Sequence, residues 1–385
     1  MGAAEISRST SNMPEICSRV CPQERLCEGS CILSGRSEAI CIGAIEKFIN
    51  EYALIRGAVK VSPAPANGSS AAVIGSGPGG MACADELAKL GYAVTVFESQ
   101  ALPGGLLMSG IPAFKLEKSV VERRVNLLRQ RGVTFRLGVT VGKDMALHEL
   151  LAQFNAVFLG IGAQKAKCLD IPGAGLKGIF QSLPFLIQKN CSLTLEIHPI
   201  EVAGKRVAVL GGGDTAMDCL RTAIRCGARE ATCLYRRDLA NMPGSRKEYA
   251  NALEENAQFT FLINPISLAG DAQGNVTGVR CVRMALGEPD ASGRRKPRAV
   301  PGSEVLIPAE VVLVAYGFDP VPFPPDSDLS RVAVNDWGGV IVDENQMTNV
   351  RGVFAGGDST RGPSLVVHAV RDGRKAAEGI HRWLG

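Results

Sequence analysis

The sequence predicts an α/β protein built from two nested βαβ domains behind a small helical, cysteine-rich domain. Three observations predict it. A short apolar strand, a glycine-rich turn and a helix stopped by glycine occur twice, beginning at Ala71 and at Arg206. Each copy is followed by another apolar strand that runs into glycine, Ala156 to Gly162 and Val311 to Gly317; these read as the chain crossing between two domains. Five of the 12 cysteines fall before residue 42. The expected organisation is a cysteine-rich segment at 1–60, a linker at 61–70, one domain in two parts at 71–167 and 319–385, and an inserted domain at 168–318.

A chain of 385 residues has room for two or three full-sized cores. With 46% hydrophobic residues, 21% charged residues and a net charge of +4, it is not a disordered chain, and its charge argues against a nucleic-acid binder. Apolar runs such as Ala156 to Ile161 fall far short of the roughly 20 residues that span a bilayer. The opening Met1 to Pro14 is polar and lacks the apolar core of a secretory signal, so a cytoplasmic protein is expected. Glycine supplies 44 of the 385 residues, above the usual ~7%, which points to tight turns and close ligand approach.

Taken in order, Cys17, Cys21, Cys27 and Cys31 form a C-x3-C-P-x4-C-x3-C run. Thiolates at such spacing wrap an iron–sulfur cluster or, less fittingly for this spacing, a zinc ion. Cys41 and the seven later cysteines read as small core residues. Ile40 to Ile55 carries apolar residues at Ile42, Ile45, Phe48, Ile49 and Tyr52, a helical spacing. Val61 to Ser70 is a linker by composition.

Next comes the strand Ala71 to Ile74, then Gly75-Ser76-Gly77-Pro78-Gly79-Gly80, then a helix to Leu90 and a strand ending at Glu98. Gly75, Gly77 and Gly80 match G-x-G-x-x-G in the strand–helix context that gives the motif meaning. The helix N-terminus offers free N–H groups to a pyrophosphate, and Glu98 stands where a carboxylate accepts ribose hydroxyls. The second copy has Gly211-Gly212-Gly213-Asp214-Thr215-Ala216, but its second strand ends in Tyr235-Arg236-Arg237 rather than in an acid. Guanidinium groups match a 2′-phosphate, so this copy reads as an NADP(H) site, with Arg246 close by in sequence. The basic stretch Arg294 to Arg298 reads as a solvated hairpin tip. Near the end, Gly356-Gly357-Asp358 and the helix that opens near Pro363 suit a flavin, with Asp358 toward the ribitol and the helix dipole favouring the reduced ring. No C-x-x-C follows the second copy, and His148, His198, His368 and His381 show no metal spacing. A nucleophile elbow and a Walker A sequence are also absent.

These residues carry a resemblance. Cys17 to Cys31, Leu102-Pro103-Gly104-Gly105-Leu106-Leu107 through Pro112, Tyr235-Arg236-Arg237 through Arg246, and Gly356-Gly357-Asp358 through Gly373 resemble the small subunit of NADPH-dependent glutamate synthase and its relatives. Those relatives include the NADP-binding subunit of bifurcating NADH-dependent ferredoxin:NADP oxidoreductase and the N-terminal half of dihydropyrimidine dehydrogenase. The resemblance implies Rossmann-like domains nested as in glutathione and thioredoxin reductases, with FAD in the discontinuous domain and NADP(H) in the inserted one. It implies FAD contacts at Gly75, Gly77, Pro78, Gly80, Glu98, Gly105, Leu106, Gly357, Asp358 and Leu365. NADP(H) contacts fall at Gly211, Gly213, Asp214, Thr215, Arg236, Arg237 and Arg246. It further implies [4Fe–4S] clusters in the helical segment, with Cys21, Cys27 and Glu46 serving one and Cys31 another. The family carries an upstream cysteine quartet that this sequence does not show. The four cysteines therefore close one cluster alone, share it with a partner, or leave it incomplete. The expected function is an FAD-containing NADP(H) oxidoreductase subunit that exchanges electrons through an iron–sulfur cluster with partner subunits carrying further centres. A free-standing NADPH-dependent flavin reductase without a cluster is the alternative.

Overall fold

The computed structural model describes residues 2–191, 199–290 and 293–385; His198 lies outside them. The N-terminal segment holds α1 (Gly2–Thr10), α2 (Pro14–Val20) and α3 (Ile42–Ile55). The first βαβ unit is β1 (Ser70–Ile74), α4 (Pro78–Lys89) and β2 (Ala93–Glu98). It is followed by α5 (Leu106–Ser109), α6 (Lys118–Gln130), β3 (Thr134–Leu137), α7 (Leu147–Gln153), β4 (Ala156–Leu159) and the short β5 (Lys165–Ala166). Next come β6 (Ile179–Gln181), α8 (Ser182–Asn190) and the second βαβ unit, β7 (Arg206–Leu210), α9 (Asp214–Arg225) and β8 (Glu230–Tyr235). Then follow α10 (Arg246–Glu254), β9 (Gln258–Phe261), β10 (Ile263–Gly270), β11 (Val276–Pro289), β12 (Arg295–Ala299), β13 (Val305–Pro308) and β14 (Val311–Val314). The chain ends with β15 (Phe318–Asp319), β16 (Val353–Ala355), α11 (Asp358–Arg361) and α12 (Val366–Leu384).

Two compact units result: Met1–Lys165 with Phe318–Gly385, and Ala166–Gly317. The first contains a parallel sheet of order β16-β4-β1-β2-β3. The second contains a parallel sheet of order β6-β14-β7-β8-β9 and an antiparallel sheet in which β11 pairs with β10, β12 and β13. The parallel strands are covered on both faces, which explains why β4 and β14 are unbroken apolar runs, buried at every position. Phe97, Phe158 and Phe354 fill the first core; Val207, Val209, Met217 and Leu220 lie in the second.

In the first unit α12 lies along α4. A side chain at Gly373 would overlap the Gly79 carbonyl, so the two helices meet backbone to backbone. The N-terminal helices are held by a buried charge network. Glu15 pairs with Arg8 at 3.1 Å and with Arg124 of α6 at 2.6 Å. Asn12 donates to Asp85 and Glu86 of α4 at 2.6 and 2.7 Å and accepts from Arg374 of α12 at 3.0 Å.

The helix expected around Ile40–Ile55 is α3, but its apolar stripe faces outward. Ile45, Phe48, Tyr52 and Ile55 are exposed, while Gly43, Asn50 and Ala53 are buried. Close approach of a neighbouring element selects small residues on the inner face; Gly43 abuts the Gln23 side chain. Cys41 and Cys168 are exposed rather than core, unlike Cys83, Cys191, Cys219, Cys233 and Cys281, which are buried.

Candidate functional site

In the first unit the turn after β1 makes a cradle at the carboxyl end of the sheet. Gly75 sits at φ +94°, and a side chain there would strike the Gly160 carbonyl at the end of β4; one at Gly80 would strike the Gly75 carbonyl. Fold alone demands these two glycines. Gly77 is different. It is the N-cap of α4 at φ −65°, and a Cβ there would meet nothing within 4 Å. Its bareness leaves open the space over the helix N-terminus, with Pro78 opening α4. Gly105 is pressed against Gly77, its Cβ position 2.9 Å from the Gly77 Cα, and Leu106 starts α5 beside it. Glu98 is buried at the end of β2 and accepts from the Ser76 N–H at 3.0 Å and the Ser76 hydroxyl at 2.5 Å. Ser76 in turn accepts from the Gly104 N–H at 2.8 Å, so it ties the glycine turn, the carboxylate and the 104–106 loop together.

The third predicted motif reaches the same place. Gly357 caps α11, and Asp358 opens it. Asp358 accepts from the Ser364 N–H at 3.1 Å, and burial pushes its carboxyl up to about 6. Leu365 is the N-cap of α12. The Gly79 Cβ position lies 3.8 Å from the Gly356 carbonyl, so this turn adjoins the α4 N-terminus. Two residues that sequence reasoning missed hold it. Arg361 makes a two-pronged pair with buried Asp372, both bonds 2.6 Å, and Asp372 accepts from the Gly357 N–H. Only the spacing of opposite charges around the motif hinted at them.

The second unit repeats the cradle. Gly211 sits at φ +135° under the Ala315 carbonyl, and a Cβ at Gly212 would lie 2.6 Å from the Tyr235 ring. Gly213, the N-cap of α9, again has nothing within 4 Å of its Cβ position. Asp214 accepts from the Ser245 N–H at 2.8 Å; Thr215 lies in the first turn of α9. Arg236 is exposed just past β8 and makes no hydrogen bond or ion pair among the described residues. Arg246 begins α10, and its Nη2 lies 3.4 Å from the Ala240 carbonyl. Arg237 does not join them as a free cation. It is 5% exposed, paired with Asp290 at 2.6 Å and donating to the Arg295 carbonyl at 2.8 Å. Both cradles have the form that suits a dinucleotide: each has a glycine at its helix N-cap with open space at the Cβ position, beside the free N–H groups of the helix.

The cysteine segment fits its expected group less well. Cys17 and Cys21 stand one helical turn apart at the end of α2, where each shifts the other, the Cys17 thiol upward and the Cys21 thiol downward. The Val367 N–H, in the first turn of α12, adds to the lowering of Cys21. Glu46 is bonded to the Ser7 hydroxyl at 3.4 Å, and burial raises its carboxyl. Cys27 is exposed and Cys31 partly so, carried outward by the turns between α2 and α3. Among the described residues no three of His, Cys, Asp and Glu are placed to hold a metal ion. The set Cys17, Cys21, Cys27, Cys31 and Glu46 is therefore not drawn into one shell. Two of its members face each other on a helix, and the turns separate the rest.

Two dinucleotide cradles on one chain, the second ending in an arginine with no ion-pair partner among the described residues, define a flavin-dependent pyridine-nucleotide oxidoreductase. Residues 69–373 match the pyridine nucleotide-disulphide oxidoreductases, and residues 1–58 match the 4Fe-4S family described as dihydropyrimidine dehydrogenase domain II. The NADPH glutamate synthase small chain of Azospirillum brasilense is 49% identical over 390 residues, covering 99% of this chain and 80% of that protein. The chain belongs to the glutamate synthase small-chain family of pyridine nucleotide-disulphide oxidoreductases. It uses FAD and NADP(H) and carries a 4Fe-4S domain at its N-terminal end. The Escherichia coli small chain is 45% identical over 393 residues, covering 99% of this chain and 83% of that protein. The NADPH-Fe(3+) oxidoreductase subunit beta of Geobacter sulfurreducens is 36% identical over 408 residues, where 99% of this chain spans 59% of that protein. Mycobacterium tuberculosis FprA in complex with NADPH shares the fold, with a TM-score of 0.67 at 22% identity over 84% of this chain and 85% of that one. Among the described residues no helix is long and apolar enough to cross a membrane.

Proposed function

We propose that this chain is the pyridine-nucleotide module of a larger electron-transfer complex, with its N-terminal segment facing partner subunits that carry further iron–sulfur centres. Hydride exchange between nicotinamide and flavin is the chemistry the two bound cofactors supply. The chain's own residues bind and orient. The α4 N-terminus and bare Gly77 take the flavin dinucleotide's phosphates, Glu98 accepts from its ribose, and Asp358 from its ribitol. Gly105 and Leu106 border that cradle, and the α12 N-terminus, beginning past Leu365, places positive dipole against the ring. Gly211, Gly213, Asp214 and Thr215 form the NADP(H) cradle, Arg236 takes the 2′-phosphate and Arg246 stands beside it. The hydrogen bonds from Arg374 of α12 to the Asn12 side chain and the Ser9 carbonyl support the N-terminal segment as the exchange side, because they join that segment to the helix assigned to the flavin.

The observation that carries this reading is Arg236, exposed and unpaired among the described residues, at the strand end where a nucleotide's second ribose lies. A charge-assisted contact is worth about 1.5–3 kcal/mol. Arg236→Ala should therefore weaken NADPH binding by tens to about a hundredfold and leave NADH nearly unchanged. Equal loss for both nucleotides would sink the assignment.

A further inference from the structure

The basic stretch Arg294 to Arg298 is exposed for the most part, as a solvated hairpin should be, but it is tied down. β11 and β12 form a hairpin, and the segment that follows β8 is tied to it. Arg237 pairs with Asp290, at the end of β11, at 2.6 Å and donates to the Arg295 carbonyl, at the start of β12, at 2.8 Å. The Arg295 N–H donates to the Asn241 side chain at 2.9 Å. Asn241 is itself fixed: it donates twice to Asp238, at 2.9 and 2.6 Å, and its carbonyl accepts from the Tyr235 hydroxyl at 3.0 Å. The Arg237 carbonyl accepts from Leu262, a residue at φ +55° between β9 and β10. At its far end the segment is fastened to the glycine turn, Gly244 N–H to the Gly212 carbonyl at 2.9 Å and Ser245 N–H to Asp214 at 2.8 Å. Every described anchor flanks Arg236; none uses it.

We propose that Arg237 is a positioning residue for NADP(H) selectivity and not a phosphate ligand. With Asp290 it latches the β11–β12 hairpin to the 236–246 segment and so holds Arg236 at the 2′-phosphate, making the hairpin part of the nucleotide site. The proposal rests on the reading of Arg236 as the phosphate's partner. A buried guanidinium that is already paired with a carboxylate has little charge left to offer a second anion, and removing either partner strands the other.

The two roles predict opposite signs for Asp290→Asn. Freed from its carboxylate, a phosphate-binding Arg237 would bind NADPH as well or better. A latching Arg237 would lose its hold. The test is stopped-flow reduction of the flavin in the full-length holoprotein by NADPH and by NADH, which separates the dissociation constant from the limiting rate. Coupled latch residues should each raise the NADPH dissociation constant roughly fivefold to twentyfold in Asp290→Asn and Arg237→Gln. The double variant should be no worse than the worse single one, NADH should change little, and the limiting rate with saturating NADPH should be kept. Unchanged or tighter NADPH binding in Asp290→Asn overturns the latch, as does additive loss in the double variant. If Arg237→Gln does not fold, judged by flavin content and melting, Asp290→Asn decides alone by its sign. Should Arg236→Gln leave the NADPH-to-NADH ratio as it was, the 2′-phosphate reading fails, and the latch with it, in a way none of the other variants can imitate.

Discussion

Gly77 and Gly213 differ from the glycines around them because nothing in the protein requires them to be bare. Their backbone angles suit alanine. Gly77→Ala and Gly213→Ala should leave the cofactor-free fold as stable or slightly more so, by up to about 1 kcal/mol. Gly77→Ala should lose flavin, and Gly213→Ala should lose NADPH affinity; urea melts and flavin content check both. Asp358 gives a pH-dependent case. Burial raises its carboxyl from 3.8 to about 6. The unfolded chain therefore ionises this group first, and the folded state loses stability as pH rises from near 4 through about 6. Above that the deficit is on the order of 2–3 kcal/mol. Asp358→Asn should raise the melting point of flavin-free protein at neutral pH, the gain should vanish below about pH 4, and flavin should bind less well. The glycine turns were legible as turns because each position answers to its own backbone angle and to the carbonyl or helix beside it. The burial and pairing of Arg237 were not. Its partner Asp290 is far off in sequence, on a hairpin whose pairing no local pattern reveals.

Helices and strands of the two βαβ units were legible as elements, since buried parallel strands and glycine-stopped helices leave continuous signals. The facing of α3 was not. Its apolar spacing marks a helix, but its buried side is Gly43, Asn50 and Ala53, chosen by closeness of packing rather than by hydrophobicity. The N-terminal helices rely on charge in compensation. Glu15 and Arg124 are 1% and 4% exposed, and Glu15 also holds Arg8. Glu15→Gln removes the carboxylate paired directly with both Arg124 and Arg8 and leaves Arg124 only the more distant Asp85, and breaking a buried pair costs up to about 3–5 kcal/mol. Denaturant melts should show a loss of that order. A loss near zero would mean that water reaches the pair. The cysteine run was legible as a metal-binding pattern but not as a shell, because spacing fixes only Cys17 against Cys21, across one turn.

At the scale of the molecule the two units should melt as separable transitions, since each has its own core. NADPH at a hundred times its dissociation constant should raise the transition of Ala166–Gly317 by about 2.7 kcal/mol and leave the other nearly fixed. Iron and acid-labile sulfide on the anaerobically purified chain should accompany the 4Fe-4S domain, at up to about four per flavin, although the described residues do not gather a metal shell without the metal. Four irons per flavin would show that the cysteines regroup around the metal. The nesting itself has a consequence for biosynthesis. Strand β16 pairs β4, yet all of Ala166–Gly317 is translated between them. The inserted unit is complete on the ribosome while the flavin unit still lacks an outer strand and α12. Its half-built sheet, with the apolar edge of β4 uncovered, must wait through that interval, and it is there that a nascent chain would need chaperone protection.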